Sequence, residues 1–167
     1  AYHRFFEILN YDCCKDYNSI EEYLKTSVAA GKISEEYAGL INLKRFEEFL
    51  QTDLGKRMGS AYKKGLLFRE QPFIMELGAD MIDKEYPSDE KILVQGIVDA
   101  FFFEDDKVYI VDYKTDRVEQ GKAGEKALVE RYHKQLELYA DTISRVTGKE
   151  TGGCYIYSTC LKKEILI

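Results

Sequence analysis

No apolar run in the sequence approaches the roughly 20 residues that a membrane-spanning helix needs. No basic-then-apolar leader marks the chain for export either. Internal repeats and low-complexity segments are both lacking. Cysteine is sparse and poorly placed for structural work. Cys13 and Cys14 are adjacent, while Cys154 and Cys160 lie near the far end. Neither pair has the CxxC spacing of a zinc site, and four such residues do not make a disulfide scaffold. They are expected as free thiols, buried or partly buried, in a reducing compartment. Positive charge is also in deficit: 24 Lys and Arg against 30 Asp and Glu, a net charge of −6. Lone DNA-binding domains are usually basic, because phosphate neutralisation drives their affinity. The balance speaks against stand-alone DNA binding, and less against a catalytic module fed by a larger machine. The chain opens on Ala1-Tyr2-His3 without an initiator Met, which suggests a piece of a longer protein or a disordered start.

What is present is ordinary globular material: 167 residues, 45% hydrophobic and 32% charged, enough for one domain with a core (residues 1–167). The first part reads as helical. Phe5, Phe6 and Leu9 form an apolar face. Ser19-Ile20-Glu21-Glu22 has the form of a capping box, Ser34 and Asn42 are further helix starts, and Leu43, Phe46, Phe49 and Leu50 keep the 3.6-residue period. Gly55 and Gly59 weaken a helix over 52–64. After Gly65 the pattern changes. Leu66–Leu77, with Pro72 inside it, suits an edge or bent strand. The β-branched and aromatic runs 92–103 and 108–113, joined by Glu104-Asp105-Asp106-Lys107, make a hairpin. A long helix over about 126–147, closed by Gly148, and strands near 155–157 and 164–167 complete the pattern. The fold class expected is α/β, a central sheet of mixed direction flanked by helices, with a helical N-terminal part.

Chemistry concentrates in that hairpin. Asp112 and Lys114, two apart in a strand, project from the same face. A hairpin turning at Asp105 and Asp106 makes Asp99 a cross-strand neighbour of Asp112, roughly 5 Å away at Cβ. Two carboxylates that close are costly without a cation between them. A hard divalent cation with a lysine beside it is what phosphodiester hydrolysis requires. Taken alone, Asp-x-Lys is a weak motif. On the long helix, Tyr132, Gln135 and Tyr139 share one face and can flank such a site. Lys56, Arg57, Lys63, Lys64 and Arg69 are the densest basic stretch, fit to follow a phosphate backbone or simply to be solvated.

Five segments, in order, resemble the PD-(D/E)XK nuclease superfamily in its RecB-like branch, closest to the nuclease domains of the AddA (RexA) type of helicase–nuclease. They are Ala1-Tyr2-His3, Arg69-Glu70-Gln71-Pro72-Phe73, Gly96-Ile97-Val98-Asp99-Ala100, Ile110-Val111-Asp112-Tyr113-Lys114-Thr115-Asp116, and Tyr132 through Ala140 with its QxxxY element. The resemblance implies a restriction-endonuclease-like fold. It implies His3, Asp99, Asp112 and the Tyr113 carbonyl as metal ligands, with Lys114 as the catalytic lysine. Gln135, Tyr139, Tyr132 and Glu70 would support the site or contact DNA. The metal implied is Mg²⁺, with Mn²⁺ as substitute. The activity implied is exonuclease action on single strands unwound by an ATP-driven helicase, with an AddB-like partner but no membrane, in double-strand-break repair in a bacterial cytoplasm. Val98 stands where the family's name has proline, which costs no ligand. Some relatives hold an iron–sulfur cluster on one upstream and three C-terminal cysteines. With two and two here, none is expected. A catalytically silent DNA-binding scaffold and a stand-alone restriction- or repair-type endonuclease are the competing readings.

Overall fold

Side-chain caps set the starts of most N-terminal helices in the computed structural model, which describes residues 1–78, 87 and 89–167. After the short helix α1 (Tyr2–Ile8), Asp16 caps α2 (Tyr17–Ala29) by accepting from the Ser19 amide. Ser34 caps α3 (Glu35–Gly39), Asn42 caps α4 (Leu43–Gln51) and Thr52 caps α5 (Asp53–Lys63). The capping box therefore differs from the expected one. Asp16 is the cap, and Ser19, expected to be the cap, is its reciprocal third residue. An aspartate three residues upstream caps the Ser19 amide, so the helix starts about a turn earlier.

Among the described residues five strands follow in a single sheet ordered as in the sequence: β1 (Leu67–Gly78), β2 (Lys91–Glu104), β3 (Lys107–Lys114), β4 (Glu150–Ser158) and β5 (Lys163–Leu166). Only β3 and β4 are parallel. Parallel neighbours need a crossover, and α6 (Lys122–Thr147) supplies it. The sheet is thus mixed and flanked by helices, as expected. Asp105 and Asp106 both take positive φ (49° and 63°), the left-handed pair that a two-residue hairpin turn requires. Gly148 closes α6 at φ 68°. The start of α6 lies four residues before the expected Lys126, because Gly121 caps it without a side chain that could signal it.

One face of the sheet packs the N-terminal helices, through Phe5, Phe6, Phe46, Phe49 and Leu54 against Ala100, Phe102, Val111, Tyr113 and Tyr157. The other packs α6, through Leu128, Leu136, Tyr139 and Ile143 against Val98, Phe101, Ile110 and Ile156. Val98 and Ala100, two apart on β2, pack against opposite cores. In a regular strand they would share a face. The alternation resets at the level of Asp99. Its cross-ribbon neighbour Glu70, between the pairs Arg69↔Ala100 and Gln71↔Val98, is unpaired and has φ 49°.

The four cysteines are free: Cys13 exposed, Cys14 and Cys154 buried, Cys160 intermediate. No helix among the described residues is long and apolar enough to cross a membrane.

Candidate metal centre and active site

The hairpin between β2 and β3 runs in register from Glu104↔Lys107 to Ala100↔Val111, where main-chain pairing ends. Asp99 and Asp112 stand one step beyond that last pair. The Asp99 side chain takes over the backbone's work there: its Oδ2 accepts the Tyr113 amide at 2.8 Å. The Tyr113 carbonyl faces His3 Nε2 at 2.8 Å, and His3 Nε2 lies 3.4 Å from Asp99 Oδ2. His3, Asp99 and the Tyr113 carbonyl therefore draw around one point. The hydrogen bond to Asp99 raises the His3 pKa above its usual value, against burial.

His3 reaches this point because α1 is held against the sheet and at its C-terminal end. The Phe6 ring stacks on the Tyr113 ring at 3.9 Å and 4°. Arg69 donates to the Leu9 carbonyl at 2.6 Å and the Phe6 carbonyl at 3.4 Å, at the end of the helix. Neither Phe6 nor Arg69 stands out in the sequence as part of the site. Arg69 lies next to Glu70 in one of the five family-like segments, and that adjacency is the one signal that could have found it.

Asp112 projects from the α6 side of β3 and is 1% exposed. Its Oδ2 lies 2.7 Å from Lys114 Nζ in an ion pair. Beyond Lys114, that buried oxygen has no hydrogen-bond donor among the described residues. Burial pushes its carboxyl up to about 6, against the pull of the Lys114 ammonium, and Asp99 pushes in the same direction as burial. Lys114 is itself held on three sides. Besides Asp112, it donates to Gln135 Oε1 at 3.3 Å and lies 4.1 Å above the centre of the Tyr132 ring. Gln135 Nε2 donates to the Tyr139 hydroxyl at 2.6 Å. Tyr139 is 7% exposed and packs edge-on against Phe73, where it holds Gln135. Glu70 faces Asp99 across the ribbon, and burial, then the Asp99 and Glu7 carboxylates, raise its pKa.

The donor set suits a hard divalent cation. Mg²⁺ takes octahedral oxygen and nitrogen ligands at about 2.1 Å, so neighbouring ligands sit about 3 Å apart. The 2.8 and 3.4 Å separations at His3 Nε2 bracket that edge. The buried Asp112 carboxylate, paired with Lys114, is a further anionic donor beside that group. Among the described residues no three His, Cys, Asp or Glu side chains already make a closed metal-binding group. The set depends on one main-chain oxygen, and Asp112 enters it together with Lys114.

The basic stretch divides. Arg57 bonds Glu104 and the Tyr155 hydroxyl, each at 2.8 Å, and lies over the Tyr109 ring. Arg69 is committed to α1. Only Lys56, Lys63 and Lys64 stand exposed, and a continuous phosphate track through the five is not what the structure builds. A groove of about 710 Å³ between the β1–β2 ribbon and α6 shares Gln135 and Tyr139 with the site.

Three relatives are named as ATP-dependent helicase/nuclease subunits, in each case the one lettered A. That of Clostridium perfringens (strain SM101) is 40% identical over 152 residues, covering 88% of this chain and 12% of the relative. That of Lachnoclostridium phytofermentans is 30% identical over 199 residues, covering 99% and 14%. That of Listeria monocytogenes serotype 4a is 32% identical over 161 residues, covering 94% and 13%. The chain thus spans a small fraction of the length of these relatives. The family model of the PD-(D/E)XK nuclease superfamily matches residues 2–164. That match runs from the helix bearing His3 to the last strand of the sheet, and the chain belongs to the PD-(D/E)XK nuclease superfamily.

Proposed function

We propose that the chain is a divalent-metal-dependent deoxyribonuclease domain that hydrolyses phosphodiester bonds in single strands delivered by a helicase motor. The observation that carries this reading is the convergence of His3, Asp99 and the Tyr113 carbonyl beside the buried Asp112–Lys114 pair. His3, Asp99, Asp112 and the Tyr113 carbonyl would hold the cation, Mg²⁺ in the cell and Mn²⁺ as substitute. When bound, it supplies positive charge to the scissile phosphate and its attacking water.

The protein's own residues do the rest. Asp112 keeps the Lys114 ammonium within 2.7 Å, so Lys114 Nζ can hold the attacking water and steady charge on the phosphate oxygens. Gln135, fixed by Tyr139, limits where the lysine can swing. The water oxygen bonds to phosphorus as the water gives up a proton to solvent, the opposite P–O bond breaks, and the leaving oxygen takes a proton from solvent. Burial of Asp112 and Tyr113 on the sheet keeps the ligands rigid, which makes the site ready before DNA arrives.

The names and lengths of the relatives support the larger setting. In it, these 167 residues are one folding unit of a much longer helicase–nuclease with an AddB-like partner, acting as an exonuclease on double-strand breaks in the bacterial cytoplasm. The test is cleavage of end-labelled single-stranded DNA by this chain in Mg²⁺, Mn²⁺ and EDTA, beside Asp112→Ala and Lys114→Ala. Metal-dependent cutting lost in both variants is expected. Wild-type chain that binds the strand but never cuts it would favour a silent scaffold, and sequence-specific cuts in intact duplex a restriction-type enzyme.

A further inference from the structure

Tyr132 sits on α6 at helical spacing from Gln135 and Tyr139, where an aromatic side chain could stack a base of the substrate strand. Its ring is otherwise engaged. Lys114 Nζ lies 4.1 Å from the ring centre, well inside the range of an ammonium attracted to an aromatic face. The Tyr132 hydroxyl donates to Asp116 Oδ1 at 2.8 Å, and Arg131 donates to the same oxygen at 2.8 Å. Asp116 stands two residues after Lys114 on the chain that leaves β3. Hydrogen bonds from Tyr132 and Arg131 overcome the upward pull of burial and leave its carboxyl below the usual range. The ring is thus pinned at its far end by an ionised carboxylate and presents its face to the lysine.

We propose that Tyr132, set by Asp116, is a positioning residue for Lys114 and not a base-stacking contact. The inference rests on the nuclease reading for its consequence, though not for its geometry. A lysine has a long, flexible stem, and an ammonium freed from water needs partners on every side. Here Asp112 holds Lys114 from one side, Gln135 from another and the Tyr132 face from a third. Removing the ring would let the ammonium leave Asp112 for solvent.

Tyr132→Leu, Tyr132→Phe and Asp116→Asn separate the two roles in this 167-residue chain. Three quantities are read: kcat and KM on a single-stranded oligonucleotide in Mg²⁺ or Mn²⁺, the Kd for the same oligonucleotide in Ca²⁺, and the rate of Lys114 acylation by acetic anhydride followed by mass spectrometry. Tyr132→Leu should lower kcat about tenfold, leave the Kd unchanged and speed Lys114 acylation several-fold. Tyr132→Phe keeps the ring face and should lose only about two- to threefold. Asp116→Asn, a change away from the core, should fall between them and serves if Tyr132→Leu does not fold. A weaker Kd with unchanged kcat in Tyr132→Leu would overturn the proposal in favour of base stacking. Failure of wild type to cut DNA would sink the nuclease reading alone. Acylation would then decide: faster labelling in the variants supports the positioning role, and unchanged labelling overturns it.

Discussion

Asp99 Oδ2 accepts the Tyr113 amide at 2.8 Å just where β2 and β3 stop pairing main chain to main chain. One carboxylate thereby serves the fold and the proposed metal set at once. An asparagine can still accept that amide proton but carries no charge. Asp99→Asn should melt within a few degrees of wild type, while metal-dependent cleavage falls by at least about 100-fold. Asp99→Ala loses the acceptor too, and should cost a further 1–3 kcal/mol, roughly, of stability. Thermal melts and Mn²⁺ titration calorimetry measure the two effects separately. An Asp99→Asn variant with wild-type metal affinity would remove Asp99 from the ligand set.

Asp112 and Lys114 form a largely buried pair, and breaking it from one side strands the other charge. A stranded ion typically costs roughly 3–5 kcal/mol. Asp112 already sits at about 6 through burial and can escape part of that cost by taking a proton. Lys114→Met should therefore cost about 2 kcal/mol near neutral pH. Adding Asp112→Asn to it should restore most of the loss, although both proteins are inactive. Urea unfolding of the two single variants and the double variant checks this. Simple additivity of the singles would mean that the pair is not coupled.

The legible part of the site is local. Asp112 and Lys114 sit two apart on one strand, and hairpin register alone brings Asp99 beside them. The mixed sheet and the long helix follow from the change of period after Gly65. The less legible part comes from distant segments. His3 and Glu70 enter only through the family resemblance, since neither lies on the hairpin. The clasp of Arg69 on α1 and the anchoring of Tyr132 by Asp116 join residues 60 or 16 apart in sequence, and no local period encodes such contacts. The reset of alternation at Asp99 and Glu70 is only half visible: Pro72 suggests a bent strand, but neither position itself carries a glycine or proline.

Gly55 shows how tertiary packing can reverse a local preference. By helix propensity it weakens α5, and Ala would gain about 1 kcal/mol. In the fold, a Cβ at this position would stand 2.1 Å from the Phe49 carbonyl oxygen, so the end of α4 approaches too closely for any side chain. Gly55→Ala should destabilise the protein by roughly 1–3 kcal/mol despite the better helix former. Gly59→Ala meets only the Tyr11 side chain, at 3.2 Å, and should be closer to neutral. A pair of denaturant curves decides it. Stabilisation by Gly55→Ala would mean that α4 and α5 are not docked as described.

The Asp16 cap makes a pH-dependent contribution of known sign. The Ser19 amide, then the Ser19 hydroxyl, hold its carboxyl below the ordinary value of 3.8. A group depressed by folding stabilises the native state above its unfolded pKa and loses that contribution as pH falls through its folded pKa. Asn is as good a helix cap as Asp but does not titrate. Wild type and Asp16→Asn should therefore be about equally stable from neutral pH to about pH 5, and wild type should fall below the variant under about pH 4. Urea midpoints for both proteins across that range measure it. Wild type gaining on Asp16→Asn in acid would show that Asp16 is raised by folding and does not cap α2 as a carboxylate.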